Sequence, residues 1–286
     1  LLMFNKKFGG HSISGTLGMT VDTRNNHTQD LFGYNMPQEV FKADGINASP
    51  NTRFAYRESQ IRMMSYFLRA IYNYKDRYVL TGTFRVDGSC KFRGKNVYST
   101  FPSFAFAWRM NKEPWFHAPV ISMLKWRIGW GQVGNSSVSS YQVYNLFTDV
   151  TTGSHFNDAG YIKGIIASNF SNPDLKWETT EQVNLGLDYG MWKGRLTFSV
   201  DAYYKTTYDL LQARYVPLVS GYSTRWMNVG TISNRGFEIS TEITPVRTKD
   251  FEWNVSGNFS VNRNKLDSIG FDVDTIEIPM RDGSKM

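Results

Sequence analysis

Strict alternation of apolar and polar side chains is the feature that most constrains how this chain can fold. In residues 181–205, EQVNLGLDYGMWKGRLTFSVDAYYK, apolar residues take every second position on both sides of a short break at Lys193-Gly194. A period of two places apolar residues on one face of a strand and polar residues on the other. The stretch therefore predicts a hairpin, and it leaves open whether the apolar face contacts a protein core or lipid.

The same alternation recurs along most of the chain and predicts about ten strands. Several of these segments exceed the roughly five or six residues that are usual in globular sheets. Their polar faces carry Asn, Ser, Thr, Glu and Asp, whereas a small soluble barrel is filled by apolar side chains. The polar face is therefore expected to contact water. A polar inside and an apolar outside are typical of a transmembrane barrel. The stripes occupy residues 1–7, 13–21, 64–74, 78–86, 104–108, 124–130, 183–191, 196–204, 237–243 and 251–261.

The connections between the predicted strands alternate between short and long. Because successive strands run in opposite directions, all short turns collect at one end of the sheet and all long loops at the other. Outer-membrane barrels show this asymmetry, whereas Greek-key sandwiches need not. The short connections are at residues 8–10, 75–76, 111–122, 193–194 and 247–250, and the long ones at 24–56, 87–99, 135–176 and 212–226.

Aromatic residues form 15% of the chain, with 16 Tyr and 8 Trp, and many of them lie next to the short turns. Amphipathic rings at one height on the apolar face are typical of the girdle at a membrane interface. The alternative is ordinary packing of aromatic side chains at the end of a barrel. The residues concerned are Tyr72, Tyr74, Tyr78, Trp108, Trp126, Tyr189, Trp192 and Trp253.

Composition excludes several other classes of protein. Mean hydropathy is −0.40, and no run of about 18 apolar residues predicts a transmembrane helix. The net charge of +7 comes from scattered Lys and Arg, which predicts a solvated surface rather than a nucleic-acid partner. The start, LLMFNKKF, shows no signal peptide and begins in mid-pattern, which suggests a piece of a longer chain.

No residue pattern predicts catalysis. The four histidines lie far apart without metal-ligand spacing, and no nucleophile stands in the context of a triad. We therefore expect no enzyme activity, no cofactor and no metal site. The single cysteine, Cys90, rules out an internal disulfide and is expected to be a partly exposed thiol.

Several sequence blocks, in the same order along the chain, resemble the C-terminal barrel of SusC/RagA-type TonB-dependent outer-membrane transporters of Bacteroidetes. The longest is NPDLKWETTEQVNLGLDYGMWKGRLTFSVDAYYKTTYDLL at residues 172–211. The resemblance covers most of the chain from about residue 57 onward and, more loosely, residues 1–24. The other blocks are YNYKDRYVLTGTFRVDGS (72–89), FPSFAFAWRM (101–110), LKWRIGWGQVGN (124–135) and NVGTISNRGFEISTEITPVRTKDFEWNVSGNFSVNRNKL (228–266).

The resemblance implies an all-β, antiparallel, up-and-down transmembrane barrel in a Gram-negative outer membrane. The family barrel has about 22 strands and a plugged lumen, so residues 1–286 are expected to form a partial barrel domain without the plug domain or the final strands. The implied partners are a SusD-like lipoprotein lid, TonB acting through the missing N-terminal part, outer-membrane lipid, and an oligosaccharide or peptide substrate.

The long loop 135–176 is the candidate for substrate or lid contact, because flat aromatic faces among hydroxyl and amide groups suit sugar recognition. The alternative is that these aromatics pack the loop onto itself or against the lid. A second set of residues is expected to be structural, through fixed turns and glycines that permit bulges. The loop candidates are Tyr141, Tyr144, Phe147, His155, Phe156 and Tyr161; the structural set is Asn172, Pro173, Asp174, Trp177, Glu178, Asn228, Gly230, Asn234 and Gly236.

Three functions remain open at this point. The leading one is part of an active outer-membrane transporter that imports nutrients, with oligosaccharides as the expected substrates and a SusD-like lipoprotein as partner. The second is a passive porin or structural barrel, which shares the wall and lacks the plug and lid. The third is a soluble extracellular sugar-binding β-protein, which would have to bury the apolar stripes.

Overall fold

A single antiparallel sheet dominates the computed structural model, which describes residues 1–34, 49, 51–157 and 160–270 and gives only the backbone between 150 and 163. Fourteen strands lie in these residues, and ten of them form the main sheet. The strands are β1 (Leu2–Phe8), β2 (His11–Tyr34), β3 (Asn51–Tyr74), β4 (Tyr78–Ser89), β5 (Tyr98–Arg109), β6 (Ile121–Asn135), β7 (Phe147–Asn157), β8 (Gly160–Ala167), β9 (Glu178–Met191), β10 (Leu196–Tyr208), β11 (Leu211–Tyr215), β12 (Thr224–Asn228), β13 (Thr231–Arg247) and β14 (Glu252–Ser268).

The order of the main sheet is β1-β2-β3-β4-β5-β6-β9-β10-β13-β14, and every neighbouring pair is antiparallel. The order passes from β6 to β9 and from β10 to β13, because the hairpins β7–β8 and β11–β12 lie within long connections and form separate small sheets. The predicted up-and-down order of ten strands is confirmed. The described part of the chain is an open wall and does not close on itself.

Helical structure in the described residues is limited to short 3-10 turns. None of them has the length and apolar character needed to span a bilayer. They lie at Gly94–Asn96, Met110–Lys112, Trp192–Gly194 and Leu218–Ser220.

The predicted loop at 24–56 is wrong over most of its described length. β2 continues to Tyr34 and β3 starts at Asn51, and the two strands stay paired up to the Tyr34–Asn51 step. β4 pairs with β3 only as far as Met63, so the ribbon beyond that point has no flanking strands among the described residues. Alternation is weak there because neither face of the ribbon is covered. Residues 35–48 lie outside the described residues.

Two more predicted loops also contain strands. The segment 135–176 includes the β7–β8 hairpin, and 212–226 includes most of β11–β12. β7 and β8 are rich in Thr and Gly, and β11 and β12 have only five residues each, so neither hairpin shows the long apolar stripe that identifies the wall strands. The sequence did not predict these strands because they lack the hydropathy pattern and length of the wall strands, although their backbone is extended in the same way.

The two faces of the wall have different surroundings. Opposite partners in the register put Ile128, Leu185, Ala202 and Phe237 in one row, and Leu185 is 49% exposed. The neighbouring row on the other face contains Asn184 and Tyr203 with their partners. Directly opposed residues share a face, so one face is apolar and the other polar across β6, β9, β10 and β13.

The apolar face has no protein core to cover it. Only six apolar side chains are buried among the described residues, and all of them lie at the long-loop end rather than along the apolar stripes. Stripe residues such as Leu17, Leu68 and Phe259 are more than half exposed. A continuous apolar surface of this extent requires a nonpolar environment, and we infer that it contacts lipid.

An aromatic row crosses the first six strands near the short turns. Tyr74 pairs with Tyr78, Tyr78 with Trp108, and Trp108 with Trp126. The row extends to His11 on β2 and to Phe8 on β1. Tyr78 stacks with Tyr74 and with Trp108, each at 6.4 Å between ring centroids. Aromatic side chains thus lie at one height on the apolar face, as predicted and as expected for rings at a lipid–water boundary.

Glu113 joins two connections at this short-turn end. Its side chain is buried and accepts a hydrogen bond from Trp108 Nε1 at 3.0 Å, while Arg77 lies 3.4 Å away. The hydrogen bond from Tyr78, followed by that from Trp108, lowers the pKa of the Glu113 carboxyl. The charged form is therefore favoured by folding.

A charge on the apolar face should be far more damaging than one on the polar face. In the full-length barrel, Leu185→Arg is expected to cost about 2–4 kcal/mol if the site lies near the midplane of the bilayer. Asn184→Arg is the matched control, because Asn184 is adjacent to Leu185 in the sequence and its side chain lies on the polar face. Urea titration in lipid vesicles, read by heat-modifiable gel migration, measures both. Equal destabilisation by the two variants would contradict the assigned faces.

Acid should weaken the Glu113 junction. The pKa is lowered in the folded state, so the stabilisation is fully present above the unfolded value of about 4.5 and is lost as pH falls through the folded pKa. We expect Glu113→Gln to reduce the difference in unfolding midpoint between pH 7 and roughly pH 3. Asp250→Asn, in the exposed turn before β14, is the control. The same acid response in wild type and Glu113→Gln would refute this role.

Candidate functional site

A charged network lies on the polar face of the wall. Arg127 Nε and Nη2 donate to the two oxygens of Asp188 at 3.0 and 2.8 Å, and Nη2 also reaches Asp201 at 2.9 Å. Ser199 donates to Asp188 at 2.9 Å, and Lys125 Nζ lies 3.3 Å from the same carboxylate. Two carboxylates and two cations therefore link β6, β9 and β10 through charge-assisted hydrogen bonds.

Gly186 makes room for this network. It lies between Arg127 and Asp201 in the register. A Cβ atom at Gly186 would come within 2.7 Å of Arg127 Cζ and 2.5 Å of an Asp201 carboxylate oxygen. The guanidinium can cross β9 only because no side chain stands in its path.

A shallow recess of about 380 Å³ lies on the polar face next to the network. Its side chains offer amide, carboxylate, phenol and ammonium groups, so it can form hydrogen bonds with a polar solute or with a polar protein surface. The described residues contain no group of His, Cys, Asp and Glu that could hold a metal ion. The recess is lined by Gln182, Asn184, Asp201, Tyr203, Lys205 and Glu238.

The long-loop end holds the hydrophobic core of the described chain. Trp177 is its centre: the ring contacts Phe92 at 5.3 Å and Phe101 at 5.7 Å between centroids, and Nε1 donates to the Val97 carbonyl at 3.2 Å. Phe101 lies on the polar face of β5, so the core forms against the inside of the wall. We call this group the loop core; its members are Phe92, Phe101, Val138, Val143, Leu175 and Trp177.

The segment 172–178 ties three connections to the loop core. Asn172 Nδ2 donates to the Trp226 carbonyl at 2.8 Å, and Asn172 Oδ1 accepts from the Asp174 amide at 3.2 Å. Glu178 accepts from Asn135 Nδ2 and from the Leu211 amide, both at 3.0 Å. Pro173 lies in the turn between these anchors, and the Asp174 carbonyl accepts from Asn96 at 3.1 Å.

The second predicted motif, around residues 228–236, meets the first. Asn228 Oδ1 accepts from the Lys176 amide at 2.9 Å, and Asn228 Nδ2 donates to the Lys176 carbonyl at 2.8 Å. Gly230 has φ +91°, a conformation that favours glycine. Gly236 lies beneath the Tyr203 ring, where a Cβ would be 2.9 Å from Cζ. Asn234 faces the same polar side, opposite Lys205.

The three loop candidates whose side chains are described, Tyr141, Tyr144 and Phe147, have separate surroundings. Tyr141 accepts a hydrogen bond from the Gln60 amide at 3.3 Å, which joins the loop to the β2–β3 ribbon. Tyr144 lies 5.7 Å from the Arg93 guanidinium, and Phe147 is 67% exposed at the start of β7. The backbones of His155, Phe156 and Tyr161 lie on the β7–β8 hairpin, and their side chains lie outside the described residues.

Cys90 is an exposed free thiol, as predicted. Its sulfur accepts a hydrogen bond from the Arg62 amide at 3.2 Å.

Comparisons with known proteins match this geometry. A family model described as TonB dependent receptor-like, beta-barrel, matches residues 4–281. The chain belongs to this family. TonB-dependent receptor P3 of Formosa agariphila is 33% identical over 273 residues, which are 93% of this chain and 26% of that protein. TonB-dependent receptor SusC of Bacteroides thetaiotaomicron is 34% identical over 224 residues, 75% of this chain and 21% of that protein.

Solved structures agree on the fold. The RagAB peptide transporter superposes with a TM-score of 0.82 at 23% identity, covering 97% of this chain and 30% of that one. The RagAB peptide importer in its 'open-open' state gives 0.83 with similar coverage. The chain spans about a quarter of the length of the curated relatives it matches.

Membership of this family places the chain in the outer membrane. The apolar face therefore contacts the lipid, and the polar face lines the lumen. Short turns on the periplasmic side and long loops outside are the usual arrangement in such barrels. The loop core then stands at the extracellular mouth, and the Arg127 network stands on the lumen wall.

Sequence reasoning missed the lumen network and the loop core. The polar stripe placed Arg127, Asp188 and Asp201 on one face, but their contact depends on the register of β6 with β9. That register is set across the connection 136–177, and a connection of this length does not fix the register from sequence alone. The one sequence signal for the network was Arg127, an arginine on a polar stripe, together with Gly186 on the polar stripe of β9.

Loss of the loop-core ring should loosen the loops without dissolving the wall. Trp177→Ala in the full-length protein is expected to cost about 3–5 kcal/mol in this cluster. Extracellular protease should then cut the loops faster, while heat-modifiable migration still reports an assembled barrel. Tyr215→Ala is the control, because that ring is 76% exposed. Equal cleavage of both variants would show that Trp177 does not hold the loops.

Proposed function

We propose that this chain forms part of the wall and the extracellular mouth of a TonB-dependent importer for oligosaccharides that works with a SusD-like surface lipoprotein. The observation that carries the proposal is the pairing of a lipid-facing apolar stripe with a polar lumen wall, onto whose extracellular end the long loops fold. Family membership supports the part of the proposal that concerns a TonB-dependent barrel.

The mechanism is passage rather than bond chemistry. Groups of the lumen wall such as Asn184, Tyr203 and Lys205 offer hydrogen bonds in place of water to a solute that passes. The loops fixed by the loop core shape the entrance. A plug domain of the family would gate the lumen, and TonB would supply the work of moving it.

Oligosaccharides are favoured over peptides by the composition of the mouth. Phe147 is an exposed ring in the loop 135–176, which is rich in Ser, Thr and Asn, and flat rings beside hydroxyl and amide groups suit sugar rings. RagAB is described as a peptide transporter, and the likeness to it is one of fold. Peptide import is therefore the second candidate, and a passive porin is the third.

Energy dependence separates an importer from a porin. Cells that express the full-length protein with its neighbouring lipoprotein should accumulate labelled oligosaccharide, and deletion of TonB should abolish that uptake because a plugged lumen does not conduct passively. Replacing residues 135–176 with a short turn should reduce uptake, while replacing the periplasmic turn 248–251 with another tight turn should not. Uptake that persists without TonB would refute the importer, and swelling of liposomes would identify a porin.

A further inference from the structure

The β11–β12 hairpin at the mouth carries two arginines side by side. Arg214 and Arg225 are direct partners in its register. Leu211 and Trp226 pack against the loop core, and strand alternation puts the arginines on the opposite face of the hairpin. The two guanidinium groups therefore lie on the face of the hairpin that does not pack against the loop core.

An aromatic pair lies beside them. The Arg225 guanidinium stands 4.6 Å from the centre of the Phe170 ring, and Phe170 stacks on Tyr222 at 5.2 Å with 28° between the planes. Arg214 Nη2 donates to the Ile269 carbonyl at 2.8 Å. Backbone bridging between Phe170 and Arg225 fixes the two segments together.

Arg225 has hydrogen-bonding capacity left over. Its Nε is buried without a hydrogen-bond acceptor. Within the part of the chain that the structure describes, Arg225 forms no ion pair. The guanidinium charge of Arg225 therefore has no carboxylate beside it among the described residues. An oxyanion that binds the Nη groups of Arg225 would neutralise this charge.

We propose that the β11–β12 hairpin forms an anion subsite that binds the carboxylate or sulfate group of an acidic oligosaccharide. The planar guanidinium fork matches these oxyanions with two parallel hydrogen bonds. The Phe170–Tyr222 pair offers a ring face next to the charge, where the apolar face of the attached sugar can rest. The inference rests on the proposed function and narrows its substrate class to uronic-acid or sulfated sugars.

Binding to the purified full-length protein tests the subsite. The probes are tetragalacturonate, a sulfated carrageenan tetrasaccharide, a neutral galactose tetramer and tetraglutamate, measured by calorimetry. We expect wild type to bind both acidic sugars about tenfold or more tightly than the neutral one, and raised salt to weaken only the acidic ones. The relative affinities of tetragalacturonate and the sulfated sugar identify which oxyanion is preferred.

Substitutions assign the effect to Arg225. Arg225→Gln should weaken the acidic sugars about tenfold and leave the neutral sugar nearly unchanged, with a smaller loss for Arg225→Lys, which keeps the charge without the fork. Arg53→Gln, which removes an exposed charge from the β2–β3 ribbon, should change nothing. Heat-modifiable migration verifies assembly, and the salt response of wild type tests the subsite even if a variant fails to assemble.

Three results would overturn the subsite. They are equal affinity for acidic and neutral sugars, unchanged affinity in Arg225→Gln, and tighter binding of tetraglutamate with the same dependence on Arg225, which would assign the site to peptides. TonB-dependent uptake of neutral oligosaccharides alone would refute the anion subsite and leave the importer standing. Absence of TonB-dependent uptake for every oligosaccharide would refute the proposed function itself.

Discussion

The backbone hydrogen-bond ladder between antiparallel neighbours is the constraint on which the rest of the molecule depends. In hydrocarbon no water can satisfy an amide or a carbonyl, so each wall strand must be paired on both sides along its membrane-spanning length. Pairing at this spacing forces side chains to alternate between lipid and lumen. The lipid face then needs no protein partner, and the lumen face is free to carry charge, as the Arg127 network does on β6, β9 and β10.

The long loops are stabilised by a different interaction from that of the wall. Outside the bilayer the chain is in water and has to bury apolar groups of its own, which explains why all six buried apolar residues of the described chain lie at the mouth. The motif residues Asn172, Glu178 and Asn228 satisfy backbone groups of neighbouring connections there. Their side chains hold hairpins that would be marginal alone, and they set the face on which Arg214 and Arg225 stand.

Alternation was enough to predict the ten wall strands and their two faces, because lipid selects strongly for period two, and the lengths of the connections predicted the sorting of turns. Alternation failed for the β2–β3 ribbon beyond Met63 and for the hairpins β7–β8 and β11–β12, where neither face is selected for lipid. Contacts that depend on register across a long connection, such as Arg127 with Asp188, were also out of reach. The loop candidates stay a prediction; among the described side chains, Tyr141, Tyr144 and Phe147 have different neighbours, which proximity in sequence does not determine.

The loop core gives the molecule two structural units with different solvents. The wall derives its stability from lipid and from its ladder, whereas the mouth derives its stability from a small hydrophobic cluster in water around Trp177. Units of this kind open with separate free energies. The mouth can therefore unfold, refold or drift in sequence without loss of the barrel, which gives the extracellular surface an evolutionary freedom that the wall does not have.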